Sequence, residues 1–183
     1  MKAVTTEQIR ELDRGAIAAG IPGEELMERA GYAVARTAVE FLKRRDSRSV
    51  LLFAGKGNNG GDAIVAARHL AGAGCRATLI LLCRRQELQG DSLLHFQKLV
   101  SAIQVLELPT LDEISEVVAE SEPSVVVDGL LGTGLKGDVR EPSDTGSSQN
   151  MPNPAASFSR TACCDLSIVG WEDLGLWRHL TRV

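Results

Sequence analysis

Apolar residues recur at helical spacing early in the chain and form short continuous runs farther on. Before residue 49 the helical spacing fills two segments, 5–19 and 26–43, separated by the break Gly20-Ile21-Pro22-Gly23. Thr5 and Gln8 fit a capping box at the start of the first helix. From residue 49 onward, runs rich in Val, Ile and Leu alternate with helical stretches. The predicted strands are 49–54, 76–83, a short one near Val105 and 124–128, and the predicted helices between them are 62–72, 91–101 and 111–121.

This alternation of strands and helices predicts a parallel sheet. The strand runs are almost continuously apolar, which is typical of strands that are buried on both faces. Right-handed crossovers then give an α/β fold, a doubly wound parallel sheet with helices on both faces and two helices before the first strand.

The character of the chain changes after Pro142. Residues 143–158 are rich in Ser, Asn, Pro and Gly and have no periodicity, which predicts loop or disorder. Farther on, residues 165–170 resemble a short strand and residues 174–180 a short helix. We therefore expect a folded domain over 1–142 and a loop-rich tail over 143–183.

Composition narrows the classes of protein to consider. The chain has 183 residues, enough for one domain, and its net charge of -4 is spread along the sequence, so neither nucleic acid nor an anionic membrane is an expected partner. No apolar run approaches the roughly 20 residues that span a bilayer, and the start lacks signal-peptide features, so we expect a cytoplasmic protein. The cysteines lack metal-site spacing and are interpreted as buried or idle thiols: Cys75, Cys83, Cys163 and Cys164.

A glycine-rich segment, GKGNNGGD at 55–62, joins the first predicted strand to a helix. Glycines allow a tight turn and close approach of the backbone to a ligand, and a helix start attracts phosphate oxygens. This pattern indicates a site for a phosphorylated small molecule. Asn58, Asn59 and Asp62 add amide and carboxylate groups that phosphate anchoring alone does not require.

The same segment contains G-x-G-x-x-G, which raises the hypothesis of an ordinary dinucleotide-binding oxidoreductase. That hypothesis expects an acidic residue at the end of the second strand, where Arg84 and Arg85 stand instead. Two arginines there could accept a 2′-phosphate, although arginines on the surface after a strand are common. Lys56 could meet a phosphate, but the segment lacks the order of an ATP-hydrolysing P-loop. His69 and His95, both within helices, are interpreted as ordinary surface or edge residues.

A second glycine-rich segment, DGLLGTGLKGD at 128–138, follows the last predicted strand of the domain. Ligands of open α/β sheets bind outside the carboxyl ends of the strands, so Asp128 and the loop at 57–62 should face one crevice. Asp128 could instead merely cap the next turn. With Asn59 it could also offer oxygen ligands to a hard cation.

Three segments together, LMERAG at 26–31, GKGNNGGD at 55–62 and DGLLGTGL at 128–135, resemble the NAD(P)H-hydrate epimerases, or YjeF N-terminal domains. The resemblance covers residues 1 to about 142. It implies a Rossmann-like fold and interconversion of the R and S hydrates of NADH and NADPH, which carry water at C6 of the nicotinamide ring. It also implies coupling to an NAD(P)H-hydrate dehydratase that uses the S form, and hence a repair enzyme.

The resemblance also implies roles for individual residues. Asn59 and Asp128 would ligate a potassium ion, and Asp62 is the matched carboxylate that we nominate as acid or base. Two loops would bind the hydrated dinucleotide. The first comprises Asn58, Asn59, Gly60, Gly61 and Asp62, and the second comprises Gly132, Thr133, Gly134, Leu135, Lys136, Gly137 and Asp138.

The tail departs from the family, which continues past residue 142 to an Asp-x-Pro-Ser-Gly motif that we do not find here. The departure indicates a frameshifted or truncated reading frame, a sheet that lacks strands, and impaired activity. A non-catalytic binding module of the same fold is the alternative, although such a scaffold would not need the intact Asn-Asn-Gly-Gly-Asp loop. The two N-terminal helices are candidates for a homodimer surface.

Overall fold

The computed structural model describes residues 6–130 and 167–170. Two helices, α1 (Thr6–Ala18) and α2 (Gly23–Leu42), precede the first strand, as the helical spacing predicts. The remaining elements alternate along the chain: β1 (Ser49–Ala54), α3 (Asn58–Gly72), β2 (Arg76–Leu81), a 3-10 turn (Arg85–Glu87), α4 (Gly90–Gln97), β3 (Gln104–Glu107), α5 (Leu111–Ser121), β4 (Val125–Gly129) and β5 (Ser167–Gly170).

The strands form one sheet in the order β3-β2-β1-β4-β5. The first four strands are parallel, and β1 lies between β2 and β4, so that Val50 pairs with Ala77 on one side and Val125 on the other. The chain runs outward from β1 to β2 and β3, then returns to the other side of β1 with β4. The strand order therefore reverses between β1 and β4, which is where open α/β sheets bind ligands.

Helices cover both faces of the sheet, which confirms the predicted Rossmann-like α/β architecture. Val50, Leu52 and Ala54 of β1 face a core that also contains the buried sides of α2 and α3. Leu51 lies on the opposite face in a smaller cluster, which is formed with α5. Side chains alternate between the faces of a strand, so this division follows directly from the apolar run of β1.

The structure moves the start of one predicted helix. The pattern places it at residue 62, but α3 begins at Asn58, after an extended Gly57 with φ -86° and ψ -173°. Residues 58–61 therefore form the first turn of α3 and are not a loop. The strand β2 ends two residues earlier than predicted, and α4 ends at Gln97 instead of 101.

The strand predicted in the tail is present, but its direction could not be predicted from the sequence. Ser167–Gly170 pairs antiparallel with β4, with Ser167 opposite Asp128 and Gly170 opposite Val125. The strand β5 thus extends the sheet beyond β4, on the side away from β1. Thr5, the predicted helix at 174–180 and the loop at 143–158 lie outside the described residues.

Two further expectations concern thiols and membranes. Cys75 and Cys83 are buried free thiols, as interpreted from the sequence, while Cys163 and Cys164 lie outside the described residues. Across the described part of the chain, every helix is too short or too polar to cross a lipid bilayer.

Candidate functional site

The turn after β1 is held from three directions by hydrogen bonds. The Gly55 N–H donates to the carbonyl of Gly129 at the end of β4 (3.4 Å), which joins the two loops expected to form the site. The Gly61 N–H donates to the Gly57 carbonyl (3.0 Å) and closes the first turn of α3. The hydroxyl of Ser92, from α4, donates to the same carbonyl (3.3 Å). The position of the turn is therefore fixed by β4, α3 and α4 together.

Close backbone contacts explain two glycines of the site. A Cβ on Gly60 would lie 1.8 Å from the carbonyl oxygen of Gly55, so any side chain would push the helix start away from the turn. A Cβ on Gly129 would lie 2.8 Å from the carbonyl oxygen of Asn59. The start of α3 therefore packs directly on the end of β4. This contact brings the described start of the second glycine-rich segment, residues 128–130, to the same edge of the sheet as the first segment.

The start of α3 is suited to bind an anion. Its N-cap residue, Gly57, provides no side-chain hydrogen bond to the amides of the first turn. Such amides, with the partial positive charge of the helix start, attract phosphate oxygens. Asn58 is exposed, Asn59 is half-buried and Asp62 is buried. A ligand at this edge would thus meet Asn58 and Asn59 first, with Asp62 behind them.

Asp128 lies in the parallel ladder beside Phe53, at the carboxyl end of β4. One of its carboxylate oxygens, Oδ1, accepts a hydrogen bond from the Leu130 N–H (2.9 Å), so the residue does cap the next turn. Burial raises the pKa of this carboxyl, and the Leu130 hydrogen bond opposes that rise without cancelling it. A cation would offset the cost of keeping the charged form at this place.

The structure therefore brings Asn58, Asn59, Asp62 and Asp128 to one edge, and their roles stay predictions. Among the described residues there is no group of three or more His, Cys, Asp or Glu side chains that could hold a metal ion. The expected cation site is of another kind, with one carboxylate and one amide. The second predicted loop, Gly132 to Asp138, lies outside the described residues.

The interpretation of His95 as a surface or edge residue is wrong, because its side chain is fully buried. The helix α4 packs against both α2 and α3, and this buries the side of α4 that carries His95. Its Nε2 lies 3.1 Å from the carbonyl oxygen of Glu24. His69 is partly exposed, with Nε2 2.7 Å from Glu28 Oε1.

Sequence reasoning also missed the residues that support the turn from behind. Ser92 is buried, and Met27 of α2 lies so close to Gly61 that a Cβ there would be 2.5 Å from its sulfur. The sequence did contain a signal for the burial of Ser92 and His95, because both share a helical face with leucines. The positions on this face are Leu88, Ser92, His95 and Leu99.

Comparison with known proteins agrees with this geometry. The family described as "YjeF-related protein N-terminus" matches residues 23–158. The NAD(P)H-hydrate epimerase of Nitrosopumilus maritimus is 34% identical over 139 residues, covering 76% of this chain and 63% of that protein. The bifunctional NAD(P)H-hydrate repair enzyme Nnr of Hyperthermus butylicus is 35% identical over 141 residues, covering 77% of this chain and 26% of that protein.

A solved structure shows the same architecture. The crystal structure of the yeast protein YNL200c (ynu0) matches with a TM-score of 0.67 and 27% identity, covering 78% of this chain and 61% of that one. The chain thus spans less than two thirds of the length of each of these three proteins.

Proposed function

Because the chain belongs to the family of YjeF-related protein N-terminal domains, we propose that it is an NAD(P)H-hydrate epimerase, an isomerase. It interconverts the R and S forms of hydrated NADH and NADPH and thereby repairs damaged nicotinamide cofactors. The relative in Nitrosopumilus maritimus carries the name of this activity, and the one in Hyperthermus butylicus is named as a bifunctional repair enzyme. We therefore propose functional coupling to an NAD(P)H-hydrate dehydratase.

The observation that carries this proposal is the contact between the start of α3 and the end of β4. The Asn59 carbonyl packs on Gly129, next to Asp128, so the start of α3 lies beside a carboxylate. In this proposal the diphosphate of a hydrated dinucleotide binds at the start of α3, and its damaged ring lies near the Asp128 carboxylate. In the proposal, residues 58–62 bind the substrate and Gly132 to Asp138 form the second binding loop.

Asp62 is the proposed acid or base. Epimerisation at C6 can proceed by loss and return of hydroxide, which a positioned carboxyl group assists by giving a proton to the leaving oxygen and taking it back. Asp62 is buried and directly follows the first turn of α3. An Asp62→Asn protein that folds but retains full epimerase activity would remove this role.

We also propose that Asn59 and Asp128 hold a potassium ion, because carboxylate and amide oxygens suit a hard cation. The ion would supply positive charge near the substrate. The test is the thermal midpoint of unfolding in potassium chloride and in choline chloride of equal ionic strength. We expect potassium to raise the midpoint of the wild-type protein but not of Asp128→Asn. An equal response of the two proteins would contradict the site.

The activity is tested with the R hydrate of NADH, an S-specific dehydratase and its nucleotide cosubstrate, following recovery of NADH by absorbance. Added protein should accelerate recovery beyond the spontaneous epimerisation rate. Recovery no faster than without the protein would reject an active enzyme and favour the binding-module alternative. The same assay measures whether activity is impaired, as the atypical tail predicts. Cytoplasmic location and a homodimer stay predictions.

A further inference from the structure

Five charged side chains lie at the carboxyl ends of β1, β2 and β3, away from Asp128. The strands are in register there, since Ala54 pairs with Leu81 and Leu81 with Glu107. We call these five residues the β2-end cluster: Lys56, Arg84, Arg85, Glu87 and Glu107. Three are cationic and two are anionic, so the cluster has one positive charge in excess.

The hydrogen bonds of the cluster show which of its cations are already engaged by a carboxylate. Glu107 is occupied by Arg85, whose Nε donates to Oε2 (2.7 Å) and whose backbone N–H donates to Oε1 (3.1 Å). The Arg85 side chain, followed by its backbone N–H, lowers the pKa of the Glu107 carboxyl. Arg85 is therefore fixed against β3.

Glu87 is shared by the other two members of the cluster. It accepts a hydrogen bond from the Arg84 backbone N–H (2.8 Å), and its other oxygen lies 3.9 Å from Lys56 Nζ. The Lys56 contact is long, and 69% of the lysine side chain is exposed, so it constrains Lys56 weakly. Among the described residues the Arg84 guanidinium makes no hydrogen bond or close ion pair; its charge acts on Glu107 only through space, after Arg85, and helps to lower the pKa of that carboxyl. Of the three cations in the β2-end cluster, Arg84 is the one whose side chain makes no close ion pair with a carboxylate of the cluster.

We propose that Arg84 binds the 2′-phosphate of a phosphorylated dinucleotide, with Lys56 assisting, so that the site prefers hydrated NADPH over hydrated NADH. This inference rests on the proposed function. With the diphosphate at the start of α3, the adenosine side of a dinucleotide lies toward β2, and its 2′ position lies at the end of β2. An acidic residue there would bind the hydroxyl of NADH, whereas an arginine forms paired hydrogen bonds with phosphate.

The neighbouring carboxylates oppose the phosphate less than unpaired carboxylates would, because each lies near a cation. Glu107 is paired with Arg85, and Glu87 lies near Lys56. A phosphate at the end of β2 would therefore meet the Arg84 guanidinium, with the weakly held Lys56 ammonium in the same cluster. Arg85, the next residue along, supplies a matched control, since it carries the same charge but is engaged by Glu107.

The first experiment measures kcat/KM for both hydrates in the wild-type protein, Arg84→Ala and Arg85→Ala. We expect the NADPH-to-NADH preference to fall roughly 10- to 100-fold in Arg84→Ala, since hydrogen bonds to charged groups contribute about that factor. In Arg85→Ala the preference should stay within about twofold of wild type. An unchanged preference in Arg84→Ala, or an equal fall in both variants, would overturn the inference.

The second experiment needs no epimerase activity and so separates this inference from the proposed function. Adenosine 2′,5′-bisphosphate and 5′-AMP, which differ only in the 2′-phosphate, are titrated into each protein by calorimetry. The bisphosphate should bind wild type more tightly, and Arg84→Ala should remove most of that advantage. Equal affinities in wild type, or no binding of either nucleotide, would contradict the 2′-phosphate site. A protein that shows the advantage but no epimerisation would refute only the proposed function.

Discussion

At the scale of single residues, Gly60 shows how the site depends on the absence of a side chain. It lies in the first turn of α3, directly against the Gly55 carbonyl. We expect Gly60→Ala to separate the helix start from the turn, to lower the free energy of unfolding by roughly 2–3 kcal/mol and to abolish substrate binding, because overpacking at a rigid contact has that cost. Urea unfolding and the coupled epimerase assay measure both effects.

Gly57→Ala is the matched control for stability. Gly57 has a negative φ, and a Cβ there meets no atom within 4 Å, so the substitution should cost only the preference for glycine over alanine at an N-cap, about 0.5–1 kcal/mol. If the two alanine variants unfolded at the same urea concentration, the close approach at Gly60 would not matter.

Glu28 is a second residue whose role was visible only in the structure. Its carboxylate accepts hydrogen bonds from Arg68 and His69 of α3 and lies 3.5 Å from His95 of α4. Burial raises the pKa of Glu28, but the hydrogen bonds and charges of Arg68 and His69 together outweigh burial, and the net shift is downward. The charged form is thus favoured by folding, and it joins α2 to its two neighbouring helices.

This shift gives Glu28→Gln a pH-dependent cost. A lowered pKa in the folded state stabilises the protein fully above the unfolded value, near 4.5, and the contribution is lost as the pH falls through the folded value. We expect a loss of about 1 kcal/mol at pH 7 that diminishes below pH 4.5. Urea unfolding between pH 3.5 and about pH 7 measures the trend over a window chosen around the carboxyl titration range.

Glu25→Gln serves as the control, since in the described part of the chain Glu25 forms its ion pair with the exposed Arg29 of the same helix. Surface pairs four residues apart contribute at most about 0.5 kcal/mol. If Glu28→Gln and Glu25→Gln lowered the free energy of unfolding equally at pH 7, the contacts of Glu28 with α3 and α4 would contribute no stability of their own.

At the scale of elements, α5 is the described helix that covers the second face of the sheet, and a capping box starts it. The Glu113 N–H donates to Thr110 Oγ1 (3.3 Å), and the Thr110 N–H donates to Glu113 Oε2 (2.7 Å). Thr110 and Glu113 lie three positions apart in the sequence, which is the spacing that a capping box requires. The helix places Ile114, Val117 and Val118 over Leu51 and Ile80.

Thr110→Ala should lower the free energy of unfolding by about 1 kcal/mol, because an amide at the start of α5 loses its acceptor. Thr110→Ser keeps the hydroxyl and should lose much less. Urea unfolding of the three proteins makes the comparison, and an alanine variant as stable as the serine variant would show that the cap does not hold α5.

The helix α3 shows where element prediction fails. Four glycine and asparagine residues in a row have poor helix propensity, so the pattern placed the start at residue 62. In the structure Gly60 and Gly61 are helical, and the turn, α2 and α4 approach them too closely for any side chain. Contacts with segments far away in the sequence override local propensity, and no window of residues contains them.

At the scale of the whole molecule, β5 closes the outer edge of β4. An unpaired strand edge exposes amides and carbonyls that can pair with another chain. Ending the chain at residue 158 removes β5, and we expect stability to fall by roughly 2 kcal/mol and the protein to self-associate, because the four-residue pairing is lost. Urea unfolding and light scattering over a range of protein concentrations measure these effects.

A chain that ends at residue 170 is the control, because it keeps β5 and loses only residues beyond it. It should be more stable and less prone to associate than the shorter chain. If both truncated chains behaved alike, β5 would not protect the edge of β4.

The sequence by itself determined the class of fold, most of the strands and helices, and the glycine-rich and Asp128 loops. These follow from periodicity and from the chemistry of glycine and capping residues, which act over a few positions. Only the tertiary structure decided the antiparallel direction of β5, the burial of Ser92 and His95, and which arginine after β2 is left unpaired. Such features depend on strand pairing and on contacts between distant segments, and their energies are set by packing that no local pattern encodes.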